Sequence, residues 1–127
     1  MEIVRLCYER FNDGDVNGFL QLCAPGFEFR DLPALPGSGV YIGHDAYRAW
    51  FAQLSDAFDD LGFEVEELID AGDQVVVVNR ATGSGKGSGA AVNLNFSNVW
   101  TLKGGKAVSA FSYDTHAEAL EAAGLSE

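Results

Sequence analysis

Asp31 is the residue in this chain best suited by its surroundings to move a proton. It ends the run Phe27-Glu28-Phe29-Arg30-Asp31, where the two-residue period of a strand puts it on the face of Phe27 and Phe29. A carboxyl group set against aromatic rings is disfavoured in its charged form, which makes it a stronger base at the expense of stability. The same residues admit a second reading, in which the strand stops at Arg30 and Asp31 is a solvated turn residue ahead of Leu32-Pro33. Other chemistry-bearing types are sparse. His44 stands beside Asp45 at a helix start and reads as a capping or surface residue, and His116 falls in a helical first turn, where positive charge is disfavoured. Cys7 and Cys23 have neither CxxC nor histidine-bearing spacing, so no metal site is expected and both thiols read as buried apolar groups. Arg80, inside the run Val75 to Arg80, must face water or pair with an acid.

Several elements must hold Asp31 in place. Val4, Cys7, Tyr8 and Phe11 recur at helical spacing, and Asn12-Asp13-Gly14 ends that helix. Asp15 caps a short second helix carrying Phe19, Leu20, Leu22 and Cys23, closed by Pro25-Gly26. After the Phe27 to Asp31 strand, Leu32 to Gly39 is a loop rich in proline and glycine, suited to a lid or rim. A third helix from Asp45 to about Asp60 gathers Tyr47, Trp50, Phe51, Leu54, Phe58 and Leu61 on one side. The period then changes to two: strands are expected over Phe63 to Asp70, Asp73 to Thr82, Ala90 to Leu102 and Lys106 to Asp114. Gly83 to Gly89 reads as a flexible hairpin tip, since it lacks the lysine order and following helix of a phosphate-binding loop. Thr115-x-x-Glu118 is a capping box that opens a closing helix.

At 127 residues and 47% hydrophobic, the chain fits a single domain, 1–127, with a substantial core. Its net charge of −11 argues against nucleic acid and anionic membrane partners. Met1 to Arg5 reads as helix rather than as a signal peptide, and no stretch reaches the ~20 apolar residues of a membrane span, which together suggest a cytoplasmic protein. The element order is that of an α+β fold, with helices over one face of a curved antiparallel sheet.

The order and spacing of four pieces resemble the nuclear transport factor 2-like superfamily, in its SnoaL-like polyketide cyclase and ketosteroid isomerase branches. These are Phe11-Asn12-Asp13-Gly14-Asp15, the strand from Phe27 to Asp31, Gly43-His44-Asp45-Ala46-Tyr47-Arg48-x-Trp50-Phe51, and Gly105-Lys106-Ala107-Val108. The resemblance covers nearly the whole chain and implies a cone: a curved antiparallel sheet covered by three N-terminal helices, with a short C-terminal helix. It also implies a hydrophobic pocket and, often, a homodimer. Asp31 resembles the catalytic base of the ketosteroid isomerases. The oxyanion-stabilising tyrosine of that branch falls on Cys7, one residue from Tyr8, and its aspartate falls on Ser97 or Asn98. The acid that SnoaL-like cyclases carry near the end of the last strand corresponds to Asp114, or in a neighbouring register to Ser112 or Thr115.

The expectation is therefore a protein that binds a small apolar, ring-containing molecule and uses no cofactor. In its enzymatic form Asp31 is the general base, with Asp114 as a second acid and Asn98, Ser97 or Tyr8 steadying an oxyanion. Phe29, Trp50, Phe58, Phe96 and Ser112 complete the pocket wall. In its non-catalytic form the same pocket only binds, or the domain only dimerises. If Ser112 faces the pocket, Phe111, Tyr113 and Trp100 form an apolar outer face suited to a two-fold dimer.

Overall fold

The protein is described by a computed structural model covering residues 2–31, 39–86, 89 and 91–125. Helix α1 (Glu2–Asn12) buries the expected stripe of Val4, Cys7, Tyr8 and Phe11. Helix α2 (Val16–Gln21) starts where Asp15 Oδ1 accepts the Gly18 N–H at 2.9 Å. Then come β1 (Cys23–Arg30), β2 (Val40–Ile42), α3 (His44–Ala57), β3 (Phe58–Ala71), β4 (Gln74–Gly85), β5 (Ala91–Lys103), β6 (Lys106–Tyr113) and α4 (His116–Ala122). The six strands form one curved sheet in the order β2-β1-β6-β5-β4-β3. Helices α1 to α3 pack their apolar residues on its inner face, against Val75, Val77, Trp100 and Ala110. Rings dominate this core: Phe19 stacks on Tyr47 at 4.6 Å and Phe11 on Phe63 at 4.6 Å.

Several details differ from the sequence reading. Strand β1 pairs with β6 in parallel, so the sheet is not wholly antiparallel. A parallel neighbour needs a long connection, and everything between β2 and β5 supplies it. Cys23, Pro25 and Gly26 belong to β1 rather than to the end of a helix. The Ala107 N–H bonds the Leu22 carbonyl and recruits them, and Pro25 is tolerated inside an irregularity of the β1–β6 register. Phe58 and Leu61 lie on β3, not on the third helix. Phe58 pairs with Gly85 and Asp59 with Ser84, so sheet pairing ends the helix at Ala57; Asp60, at φ 54°, absorbs the bulge that follows. By the same pairing Gly83 and Ser84 are strand residues opposite Val92 and Ala91, not a flexible tip. The proposed lid residues 32–38 lie outside the described residues; their ends are joined by the Asp31 N–H, which bonds the Gly39 carbonyl at 3.1 Å.

The outer face is not left bare. Helix α4 lies on it, burying Val76 and Val99 with Ala119, and Tyr113 packs against the same cluster. Phe111 sits beneath the Arg30 guanidinium, 4.2 Å from its ring centroid. Trp100 faces inward instead, with Tyr8 and Phe27 rings at 5.7 and 6.0 Å. Arg80 pairs with Glu66 at 3.1 Å. None of the described helices is long and apolar enough to cross a membrane.

Asn12 ties α1 to the far edge of this sheet. Its amide donates to the Phe63 carbonyl and accepts the Phe63 N–H, both at 2.9 Å, as a paired strand would. Asn12→Ala should therefore lower stability by about 1 kcal/mol, read as a fall in the denaturant midpoint at unchanged slope. An unchanged midpoint would mean that water satisfies Phe63 equally well.

Candidate functional site

The inner face of the sheet bends around a cavity of about 110 Å³. It is lined by Phe29 at the end of β1, Trp50 and Leu54 of α3, Phe58, Leu61 and Phe63 of β3, Ala81 of β4, and Leu94 and Phe96 of β5. Three polar residues complete the wall: Asp31, Asn98 and Ser112. A smaller void of about 30 Å³ lies deeper, bounded by Tyr8, Phe11, Phe19, Tyr47 and Trp100. Phe29, Trp50, Phe63 and Asn98 line both, so they form the partition between the two.

The three polar residues form a row for a reason visible in the strand register. Asn98 of β5 is the cross-strand partner of Ser112 of β6. Arg30 of β1 pairs with Phe111 of β6, so Asp31, the next residue, comes level with Ser112. Neighbouring strands lie about 4.8 Å apart, which spreads the row over roughly 10 Å. Alternation along β5 turns Phe96 and Asn98 into the cavity and Ser97, between them, to the opposite face. Ser97 is buried there and does not line the cavity, which corrects its expected role. Asp114, also expected at the site, follows the end of β6 and is exposed at the start of the turn into α4. The strand ends one residue too early to carry it inward.

Asp31 is held rather than solvated freely. The Trp50 indole N–H donates to its Oδ2 at 3.0 Å, and the Trp50 ring is itself fixed between Phe29 at 4.5 Å and Tyr47 at 5.2 Å. Asn98 joins Asp31's row to a buried cluster behind it. Tyr8 donates its hydroxyl proton to Asn98 Oδ1 at 2.8 Å, and Asn98 Nδ2 donates to Ser112 Oγ at 2.8 Å. Trp100 Nε1 and Asn79 Nδ2 both donate to Tyr8 Oη, at 3.1 and 3.2 Å. Asn79 and Trp100 were invisible as members of a polar set from sequence, because Asn79 is embedded in a valine run and Trp100 reads as a ring. Tyr8, and not Cys7, turns toward Asn98, so the sequence resemblance was one residue out on α1. Cys7 and Cys23 are buried; hydrogen bonding to Cys7, then burial, pushes the Cys23 thiol up. Among the described residues no His, Cys, Asp and Glu cluster could hold a metal.

A curved sheet lidded by three helices encloses a ring-lined cavity with Asp31 on its wall. The family model of the SnoaL-like domain matches residues 4–110. The chain belongs to the SnoaL-like domain family. Among solved structures, this SnoaL-like chain resembles an NTF2-like protein of unknown function from Burkholderia pseudomallei, at 26% identity over 95% of this chain and 94% of the other, with a TM-score of 0.82. TerC, co-crystallised with polyporic acid, superposes with a TM-score of 0.80 at 24% identity, covering 97% and 96% of the two chains. A protein of ketosteroid isomerase-like fold from Catenulispora acidiphila, in complex with trimethylamine, gives 0.80 at 18% identity over 98% and 93%. No functionally curated protein matches this sequence. The SnoaL-like fold thus accounts for the cone, while the polar set inside it is described by this chain's own residues.

Burial raises the Tyr8 hydroxyl above its ordinary range, outweighing the Trp100 and Asn79 hydrogen bonds that act the other way, and burial raises Tyr47 as well. A hydroxyl whose folded pKa exceeds its unfolded value leaves stability untouched below about pH 10 and reduces it as pH rises from there toward the folded value. Tyr8→Phe leaves three polar partners short of a bond and should lower stability at pH 7 by about 1–3 kcal/mol. Above pH 10 the deficit should narrow, because only the wild type then bears the Tyr8 ionisation. Denaturant titrations of both proteins at pH 7 and above 10 check this; a constant difference would mean that Tyr8 ionises without opposition from the fold.

Proposed function

We propose that this SnoaL-like protein binds a small, apolar, ring-containing carbonyl compound and moves a proton on the carbon next to the carbonyl, with Asp31 as general base. The observation that carries this reading is the row of Asp31, Ser112 and Asn98 on an otherwise apolar cavity. An apolar site with a few convergent polar groups is what small-molecule recognition requires. A volume of about 110 Å³ is comparable with the ~150 Å³ apolar cavity known to accept benzene, which suits one ring and its substituent.

The chemistry follows from the row. The Asp31 carboxylate takes the proton from the carbon α to the carbonyl, and the C–H electron pair moves into a C=C bond as the carbonyl pair moves onto oxygen. The resulting oxyanion lies toward Ser112 and Asn98, whose O–H and N–H groups are the available donors. Where a C=C is conjugated with the enolate, return of the proton from Asp31 to its far carbon gives an isomer; attack by the enolate carbon on a second carbonyl closes a ring, and the new alkoxide oxygen takes the proton from Asp31. Trp50 keeps Asp31 oriented throughout by its bond to Oδ2.

Deuterium exchange at the methyl group of acetophenone in D2O, followed by NMR, tests the reading. The wild type should accelerate exchange over buffer, and Asp31→Asn should remove that acceleration by about 100-fold or more. Asp114→Asn, outside the cavity, should match wild type. Saturable binding of acetophenone with no faster exchange would make the protein a carrier of such ligands instead.

A further inference from the structure

The hydrogen bonds behind the cavity have a direction, and it can be read from their far end. An indole N–H has no lone pair with which to accept, so Trp100 is necessarily the donor in its bond to Tyr8 Oη. Asn79 Nδ2 brings a second N–H to the same oxygen. With its acceptor capacity taken, Tyr8 directs its proton to Asn98 Oδ1. That oxygen also receives Asn79 Nδ2 at 2.6 Å. Asn79 thus turns its Nδ2 toward both oxygens and leaves its own Oδ1 buried without a hydrogen-bond partner among the described residues. Two donors on Oδ1 in turn force the Asn98 amide, with its nitrogen toward Ser112 Oγ.

Ser112 is where this chain of bonds meets the cavity. Its oxygen accepts from Asn98, which releases its own proton to point at whatever the cavity holds. We propose that Trp100 is a positioning residue which, through Tyr8 and Asn98, fixes Ser112 as a hydrogen-bond donor and so selects ligands presenting an acceptor oxygen at that wall. A ligand group that can only donate, such as an ammonium, in the same place would give the serine proton no acceptor. The main cavity is not lined by Trp100, so its influence is exerted through Tyr8 and Asn98. This proposal rests on the reading of the cavity as a ligand site, and adds to it which atom recognises the carbonyl and what sets that atom's polarity.

The test uses two probes of one shape, acetophenone labelled with 13C at the carbonyl and ethylbenzene, which lacks the oxygen. In the wild type the bound carbonyl stretch should lie below its value in an alkane solvent, the mark of a donated hydrogen bond. Ser112→Ala should return it toward the alkane value and weaken acetophenone about tenfold, while ethylbenzene binds as before. Trp100→Phe should return the stretch part of the way, again with ethylbenzene unaffected. Because Trp100 is a core residue, replacing it with benzothienylalanine, which keeps the ring shape and puts sulfur in place of the N–H, gives the same comparison without the loss of volume. An unshifted carbonyl in the wild type, or a shift that survives both Trp100 replacements, would overturn the proposal. If neither probe binds the wild type, it is the ligand-site reading that fails, and the proposal with it.

Discussion

The hydrogen bond from Tyr8 to Asn98 joins α1 to the middle of β5 across 90 residues of sequence, in a place where water cannot substitute for it. Tyr8 and Asn98 are 6% and 5% exposed, and Asn79 and Ser112 beside them are 0% and 4%. A buried polar set of this kind is favourable only when its members satisfy one another, since a missing partner leaves an uncompensated group in apolar surroundings. The first helix can therefore dock in one rotation only, with Tyr8 toward the sheet. That rotation sends Phe11 against Phe51 and Phe63, and so fixes the rings that border the cavity.

The rest of the core is apolar and aromatic, and its shape follows from ring geometry rather than from charge. Trp50 is the connecting piece. It touches Phe11, Phe29, Tyr41 and Tyr47, and its N–H reaches Asp31, so the packing of α3 onto β1 also orients the acid that lines the cavity. Two indoles thus play parallel parts at opposite ends of the polar row: Trp50 holds the acceptor end at Asp31, and Trp100, through Tyr8, stands behind Asn98 at the other end. A ligand with an acidic C–H on one side and an oxygen on the other is complementary to that polarity.

Much of this was legible in the sequence because it is encoded locally. The stripe of Val4, Cys7, Tyr8 and Phe11, the Asp15 cap, the Thr115 capping box and the alternation along β5 and β6 are short-range patterns, and each has its element. What escaped is set by partners distant in sequence. Phe58 has helical spacing with Leu54, yet pairing with Gly85 makes it a strand residue. The parallel β1–β6 contact has no local signature at all. At the site, parity was the difficulty: a shift of one residue distinguishes Ser97 from Asn98 and Cys7 from Tyr8, and either member of each pair fits the pattern until the register is known. Asp114 has the parity of Ser112 but lies one residue beyond the end of β6. Asn79 could not be found, since an amide amid valines signals burial only once its partners are in view.

The central claim is that Asp31, Ser112 and Asn98 act together on one ligand inside the cone. The most direct measurement is a titration of the 15N-labelled protein with acetophenone, following side-chain N–H resonances. The account predicts that the Trp50 indole and the Asn98 amide move together and saturate at one common concentration, because they contact the two ends of the same polar row. Movement confined to resonances of the outer sheet face and α4, with Trp50 and Asn98 unchanged, would contradict it.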